Sequence, residues 1–350
     1  MSKGQEFTYL TVKEEMQLSE SERLKYYENF RKNILNRKLT NTTPGALTVA
    51  PKLKKFVNKL DSFVTKVLAG GEIECVTDGL ENIPDGPCIF ASTHQGLLDN
   101  MCWIPSNPKH CIILHTADAK KFLVLAQLCT GLILVDKNNN NEKSRNASKL
   151  DVIQTLLKRH SIWCFPEGAW NLSPNKLHLP MRYGILDAAK KAGVPIVPGC
   201  IEFTYDTSTE KEKITKMHIR YGKPIYISLT DDLKEKFEEY KESISTMRWD
   251  LIAEKGIFKR KDISNKDYIN FLKGTFRNLE IKDPNFTARE MQDIENRSIY
   301  GSNAEFYQFH HINDIPFDEN DEFLEPEEIR KLKNLAPNKN NAFLFDKRLK

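Results

Sequence analysis

The chain divides into three stretches that differ in the period of their apolar residues. From residue 1 to about 71 the period is helical. Ser19-Glu-Ser-Glu22 has the form of a helix start, with Leu24, Tyr27 and Phe30 among the apolar positions behind it. A second helix is expected from about Pro51 to Leu68, after the linker Thr40-Asn-Thr-Thr-Pro-Gly45. Its apolar stripe is Leu53, Phe56, Val57, Leu60, Val64, Val67 and Leu68. Lys52, Lys54, Lys55, Lys59 and Lys66 take other positions, opposed only by Asp61. A basic amphipathic helix of this kind suits an anionic membrane surface. Packed on a core with its lysines solvated, the same helix would be ordinary, and the pattern leaves both open.

From about 72 to 229 short apolar runs alternate with helical stretches. Strands are expected at Cys88 to Ser92, Cys111 to His115, Leu132 to Val135, Ser161 to Phe165, Ile196 to Phe203, Met217 to Tyr221 and Pro224 to Ser228. Helices are clearest at Ala147 to Lys158 and at Met181 to Ala192, the latter stopped by Gly193 and Pro195. Alternation of this sort implies an α/β fold, a mixed central β-sheet flanked by helices, whose ligands sit beyond the carboxyl ends of strands. Residues 230 to 350 are highly charged. Helices are expected there at Leu229 to Glu254, Asp267 to Leu279 and Thr287 to Glu295, and the acidic run Asp318 to Glu328 reads as solvated surface or tail. The expected organisation is an N-terminal helical region (1–71), an α/β domain (72–229) and a charged, mostly helical C-terminal extension (230–350).

Composition changes this picture little. The 350 residues are 40% hydrophobic and 29% charged, as in a globular protein. A net charge of +4 without a basic stripe gives no sign of nucleic-acid binding. Seven scattered cysteines without a C-x-x-C pair argue against zinc and disulfides and suit a reducing cytoplasm. The N-terminus has no apolar segment of signal-peptide type, and no apolar run approaches a membrane span, so a soluble or peripheral protein is expected. No nucleotide motif of the G-x-x-x-x-G-K-[ST] or G-x-G-x-x-G kind occurs, and the histidines lack metal-ligand spacing. Neither a metal nor a resident cofactor is expected.

The candidate chemistry lies in Phe90-Ala-Ser-Thr-His-Gln-Gly-Leu-Leu-Asp-Asn100. His94 and Asp99 form an H-x-x-x-x-D pair directly after an expected strand. A histidine oriented by a carboxylate takes a proton from a hydroxyl at neutral pH. No G-x-S-x-G elbow accompanies the pair, so the activated hydroxyl is expected to belong to a substrate. A second cluster, Phe165-Pro-Glu-Gly168, follows another expected strand; neighbouring Cys164 reads as a buried strand residue.

Four motifs in order make the middle region resemble the glycerophospholipid acyltransferase family. His94 to Asp99 matches its H-x-x-x-x-D. Gly131-Leu-Ile-Leu-Val-Asp-Lys137 resembles its G-x-x-F-I-x-R, with lysine for arginine. Phe165-Pro-Glu-Gly-Ala-Trp170 resembles F-P-E-G-T-R, and Val194-Pro-Ile-Val-Pro198 matches V-P-I-V-P. The resemblance implies transfer of a fatty acyl group from acyl-CoA or acyl carrier protein to a hydroxyl of a lysophospholipid or glycerol phosphate, at the inner face of a membrane. It makes His94 the general base and Asp99 its orienting partner. Backbone N–H groups of Gln95 and Gly96 are the expected oxyanion donors. Substrate contacts are expected from Lys137, Phe165, Pro166, Glu167, Gly168, Trp170 and Arg182, with Glu167 reaching a second acceptor hydroxyl.

Two departures widen the acceptor choice. Trp170 stands where the family has a phosphate-binding arginine, and Ala169 lacks the threonine hydroxyl. An indole offers a flat face rather than a bidentate grip on phosphate. O-acylation of a glycolipid or cell-envelope sugar therefore stands beside phospholipid acylation. A catalytically inert peripheral lipid-binding protein is the alternative of another class.

Overall fold

The computed structural model describes residues 9–43, 45–96, 98–116, 130–135, 142–168, 178, 181, 184–206 and 213–255. Within them a seven-stranded sheet consists of β1 (Glu74–Asp78), β2 (Ile89–Ser92), β3 (Cys111–Thr116), β4 (Leu132–Val135), β5 (Ser161–Cys164), β6 (Ile196–Asp206) and β7 (Lys213–Tyr221). The spatial order is β1-β7-β6-β2-β5-β3-β4. All neighbours are parallel except the β6–β7 pair, so the expected mixed α/β sheet is what forms.

Alternation along the strands sends side chains to two apolar layers. Ile89 and Ala91 of β2, with Ile162, Cys164, Ile196 and Cys200, face one core. Cys88 and Phe90, with Trp163, Val197, Ile201 and Phe203, face the other. The first core is closed by α2 (Glu20–Asn36), α5 (Glu142–Leu157), α6 (Gly184–Ala192) and α7 (Leu233–Lys255); the second is closed by α4 (Leu98–Ser106), against which α3 (Ala50–Ala69) packs. Strands covered on both faces read as unbroken apolar runs, which is why they were legible.

Three departures from the expected elements have local reasons. Pro224 to Ser228 forms no strand. Ile225 makes a single bridge to Ile196, and proline has no N–H to extend the pairing. Strand β1 carried no signal because Glu-Cys-Val-Thr-Asp is an exposed edge without an apolar face. Helix α7 starts four residues later than expected, after Asp232, whose side chain accepts the Lys234 N–H at 2.7 Å. The helices expected at 267–279 and 287–295 lie outside the described residues.

The short helix α1 (Val12–Glu15) is tied to α6 by a buried charge cluster. Lys191, 0% exposed, pairs with Glu15 and, at 2.6 Å, with Asp187, while the Tyr27 hydroxyl donates to Glu15 at 2.7 Å. Removing the cation would leave two carboxylates facing each other in the interior. Lys191→Met is expected to lower unfolding stability by about 3–5 kcal/mol in a denaturant titration; an unchanged midpoint would show that the cluster holds nothing.

Candidate active site

Strands β2 and β5 are parallel neighbours, Ala91 lying opposite Cys164. The segments that leave their carboxyl ends, His94 to Asp99 and Phe165 to Gly168, therefore emerge side by side. The end of β2 is pinned to β6. The Thr93 N–H donates to the Gly199 carbonyl at 3.1 Å, and the Ile201 N–H donates to the Thr93 hydroxyl at 2.9 Å.

Beyond that pin, Asp99 organises the loop. Its Oδ2 accepts from His94 Nδ1 at 2.8 Å, from the Gln95 N–H at 2.5 Å and from the Gly96 N–H at 3.0 Å. Asp99 sits in the first turn of α4, where the helix dipole favours an anion. Spacing explains the motif, because one carboxylate at a helix start bonds the amides before it and the imidazole they follow. Asp99 is completely buried, while 14% of the His94 side chain remains exposed. With Nδ1 given to the carboxylate, proton exchange falls to Nε2.

The second segment holds the imidazole from another side. The Phe165 ring lies flat on His94, with centroids 3.7 Å apart and planes within 4°. The Gly168 N–H donates to the Phe165 carbonyl at 3.0 Å, closing a tight turn over buried Pro166 with Gly168 at φ +68°. That turn delivers Glu167 to the interior, where its Oε1 accepts the His94 N–H at 2.9 Å.

The structure thus brings together His94, Gln95, Gly96, Asp99, Phe165, Pro166, Glu167 and Gly168, and corrects two assigned roles. Gln95 and Gly96 aim their N–H groups at Asp99, so the oxyanion role expected of them is not what the geometry gives. Glu167 is 0% exposed and holds the backbone of His94 instead of reaching out to a hydroxyl. Phe165 positions the imidazole by stacking. Lys137, Trp170 and Arg182 lie outside the described residues. Cys164 is buried as expected: burial pushes its thiol up to about 12, far from a thiolate nucleophile.

Pattern reading missed Arg248 of α7. Its Nη2 donates to the Gln95 Oε1 at 3.3 Å, and its Nε lies 3.3 Å from the Glu202 carboxylate. The signal was present: Arg248 falls on the helix face that carries Tyr240, Ile244, Met247 and Leu251, where a cation is out of place. Among the described residues no group of three or more His, Cys, Asp or Glu is placed to hold a metal.

Comparison with known proteins matches residues 75–202 to the family model described as Acyltransferase. The chain is 32% identical over 137 residues to the 1-acyl-sn-glycerol-3-phosphate acyltransferase alpha of Ovis aries, covering 37% of this chain and 45% of that one. It is 36% identical over 90 residues to the 1-acyl-sn-glycerol-3-phosphate acyltransferase of Escherichia coli strain K12, covering 25% and 34%. The chain thus spans less than half the length of these curated relatives. A looser likeness, with a TM-score of 0.40 and 19% identity over 67% of this chain and 83% of the other, links it to the crystal structure of the LPA acyltransferase PlsC from Thermotoga maritima.

Stacking by Phe165 limits access to His94. Diethyl pyrocarbonate should modify His94 several-fold faster in Phe165→Ala than in the wild type, read by mass spectrometry of the peptide. Equal rates would mean that the ring does not cover the imidazole.

Proposed function

We propose, from the match of residues 75–202 to the Acyltransferase family model, that the chain moves a fatty acyl group from an acyl thioester to the free hydroxyl of a lysophospholipid or glycerol phosphate. The observation that carries this reading is the His94–Asp99 pair, at 2.8 Å and stacked under Phe165. His94 Nε2 takes the proton of the acceptor hydroxyl as its oxygen bonds to the thioester carbonyl carbon. Asp99 stabilises the resulting imidazolium. When the C–S bond breaks, His94 returns the proton to the departing thiolate, so ester and free thiol form without an acyl-enzyme. The proposed donor is acyl-CoA or acyl carrier protein, with the reaction at the cytoplasmic face of a membrane.

The names of the relatives support lysophosphatidate as the acceptor. Trp170 and Ala169, in place of the arginine and threonine of the F-P-E-G-T-R pattern, keep a sugar hydroxyl as the second reading. The decisive assay follows thiol release from palmitoyl-CoA and palmitoyl carrier protein with lysophosphatidate, glycerol 3-phosphate or a sugar-lipid mixture. Acceptor-dependent release should fall by roughly 10²- to 10⁴-fold in His94→Ala. A folded wild type silent on every acceptor, with lipid binding indifferent to His94→Ala, would favour the lipid-binding alternative.

A lipid acceptor has to be met at a surface, and α3 supports peripheral docking. Its apolar residues split in two: Val57 is buried at 3% exposure, whereas Phe56 and Val67 of the expected stripe, with Phe63 outside it, stand 60–65% exposed. Residues 56, 63 and 67 share one helix face, and Lys52, Lys55, Lys59 and Lys66 line the flank beside it. We infer that this face lies in the headgroup region of an anionic membrane. Among the described residues no helix is long and apolar enough to cross one. Phe56→Ser with Phe63→Ser should weaken co-sedimentation with phosphatidylglycerol-containing vesicles at least about tenfold, given the apolar area each ring withdraws from water. Undiminished sedimentation would remove α3 from the docking surface.

A further inference from the structure

The acyltransferase match ends at residue 202, yet a residue 46 positions further on reaches the catalytic loop. We propose that Arg248 is a positioning residue for the His94–Asp99 pair, acting through Gln95, and that α7 is thereby part of the catalytic unit. This rests on the reading of His94 as general base.

Three observations support it. First, Arg248 bridges two parts of the fold. Arg248 is 4% exposed, with Nε at 3.3 Å from Glu202 Oε2 on β6 and Nη2 at 3.3 Å from Gln95 Oε1 on the loop after β2. A planar guanidinium fixes the angle between two such partners, which a lysine ammonium on a flexible stem does not. Second, Gln95 is the right residue to hold. Its own N–H donates to Asp99 at 2.5 Å, and it directly follows His94, so a shift of Gln95 moves both members of the pair. Third, α7 is fixed where it can serve as a reference. Tyr240 donates its hydroxyl to the carbonyl of Ala91 at 3.2 Å, three residues before His94, and Ile244 and Leu251 are wholly buried.

Energetics decide what the bridge is for. Burying a charged pair costs desolvation comparable to its attraction, so an apolar residue on this face of α7 would stabilise the fold as well or better. A buried arginine there serves geometry. Among the described residues Arg248 meets the loop through Gln95, and its side chain is enclosed, so its action is on the loop. Misplacement of a catalytic group by about 1 Å costs on the order of a hundredfold in rate, which gives the loop's anchor its effect.

The experiment uses the full chain and three variants: Arg248→Lys, Gln95→Ala, and the neutral pair Arg248→Gln with Glu202→Gln, which leaves no unpaired buried charge. Each is first checked for the wild-type unfolding midpoint. Two readouts follow: kcat and KM for thiol release, and the ¹H–¹⁵N signal of His94 Nδ1 in the substrate-free protein. Folded variants should lose roughly ten- to a hundredfold in kcat with KM within about twofold, and their Nδ1 proton should broaden through exchange with water. Arg248→Lys should keep stability without restoring kcat. Unchanged kcat and an unchanged Nδ1 signal in folded Gln95→Ala would overturn the proposal, and this variant decides even if changes at Arg248 prevent folding. A wild type that turns over no acceptor would refute the general-base reading, and the Nδ1 signal would then decide the positioning role alone.

Discussion

One carboxylate oxygen sets the geometry of this site. Asp99 Oδ2 accepts from the His94 imidazole and from two successive backbone amides. Those amides belong to Gln95 and Gly96, ahead of α4, and Asp99 lies in the first turn of that helix, so one carboxylate ties the histidine loop to the helix start. Loop and helix therefore stand or fall together. The arrangement fixes the imidazole tautomer, because Oδ2 already receives the Nδ1 side and Nε2 is left to exchange protons.

The remainder of the site is support for that pair from neighbouring strands. Parallel pairing of β2 with β5 sets the Phe165 turn beside His94, with a ring against the imidazole and a buried Glu167 under its amide. Pairing of β2 with β6 brings Thr93 to Gly199 and Ile201, and puts Glu202 on the face that α7 covers. Each strand flanking β2 thus contributes two restraints on the segment that leaves it. Buried charge is used in the same way elsewhere: Lys191 joins α1 to α6 through Glu15 and Asp187. Such groups add little net stability but admit one arrangement rather than several.

Roles moved between sequence and structure for a common reason. The motifs make Gln95, Gly96 and Glu167 candidates for contact with the reacting groups. In the fold they face the protein and hold the histidine still. A motif records which residues must be present at a site, and contact with substrate is only one way to be needed there. Arg248 is the reverse case, a residue outside every motif that arrives at the site because its helix lies across β6 and β2.

By itself the sequence determined the alternation of buried strands and helices, the position of His94 and Asp99 at a strand's end, and the α2 helix behind its capping box. These follow from local period, from turn and cap chemistry, and from a motif only five residues apart, all readable along the chain. Tertiary structure alone decided the strand order, the edge strand β1, the inward turn of Glu167, the exposed and buried halves of the α3 stripe, and the Arg248 bridge. Each depends on which elements become neighbours across tens to more than a hundred residues. Apolar period records that a face is buried, but not what it is buried against.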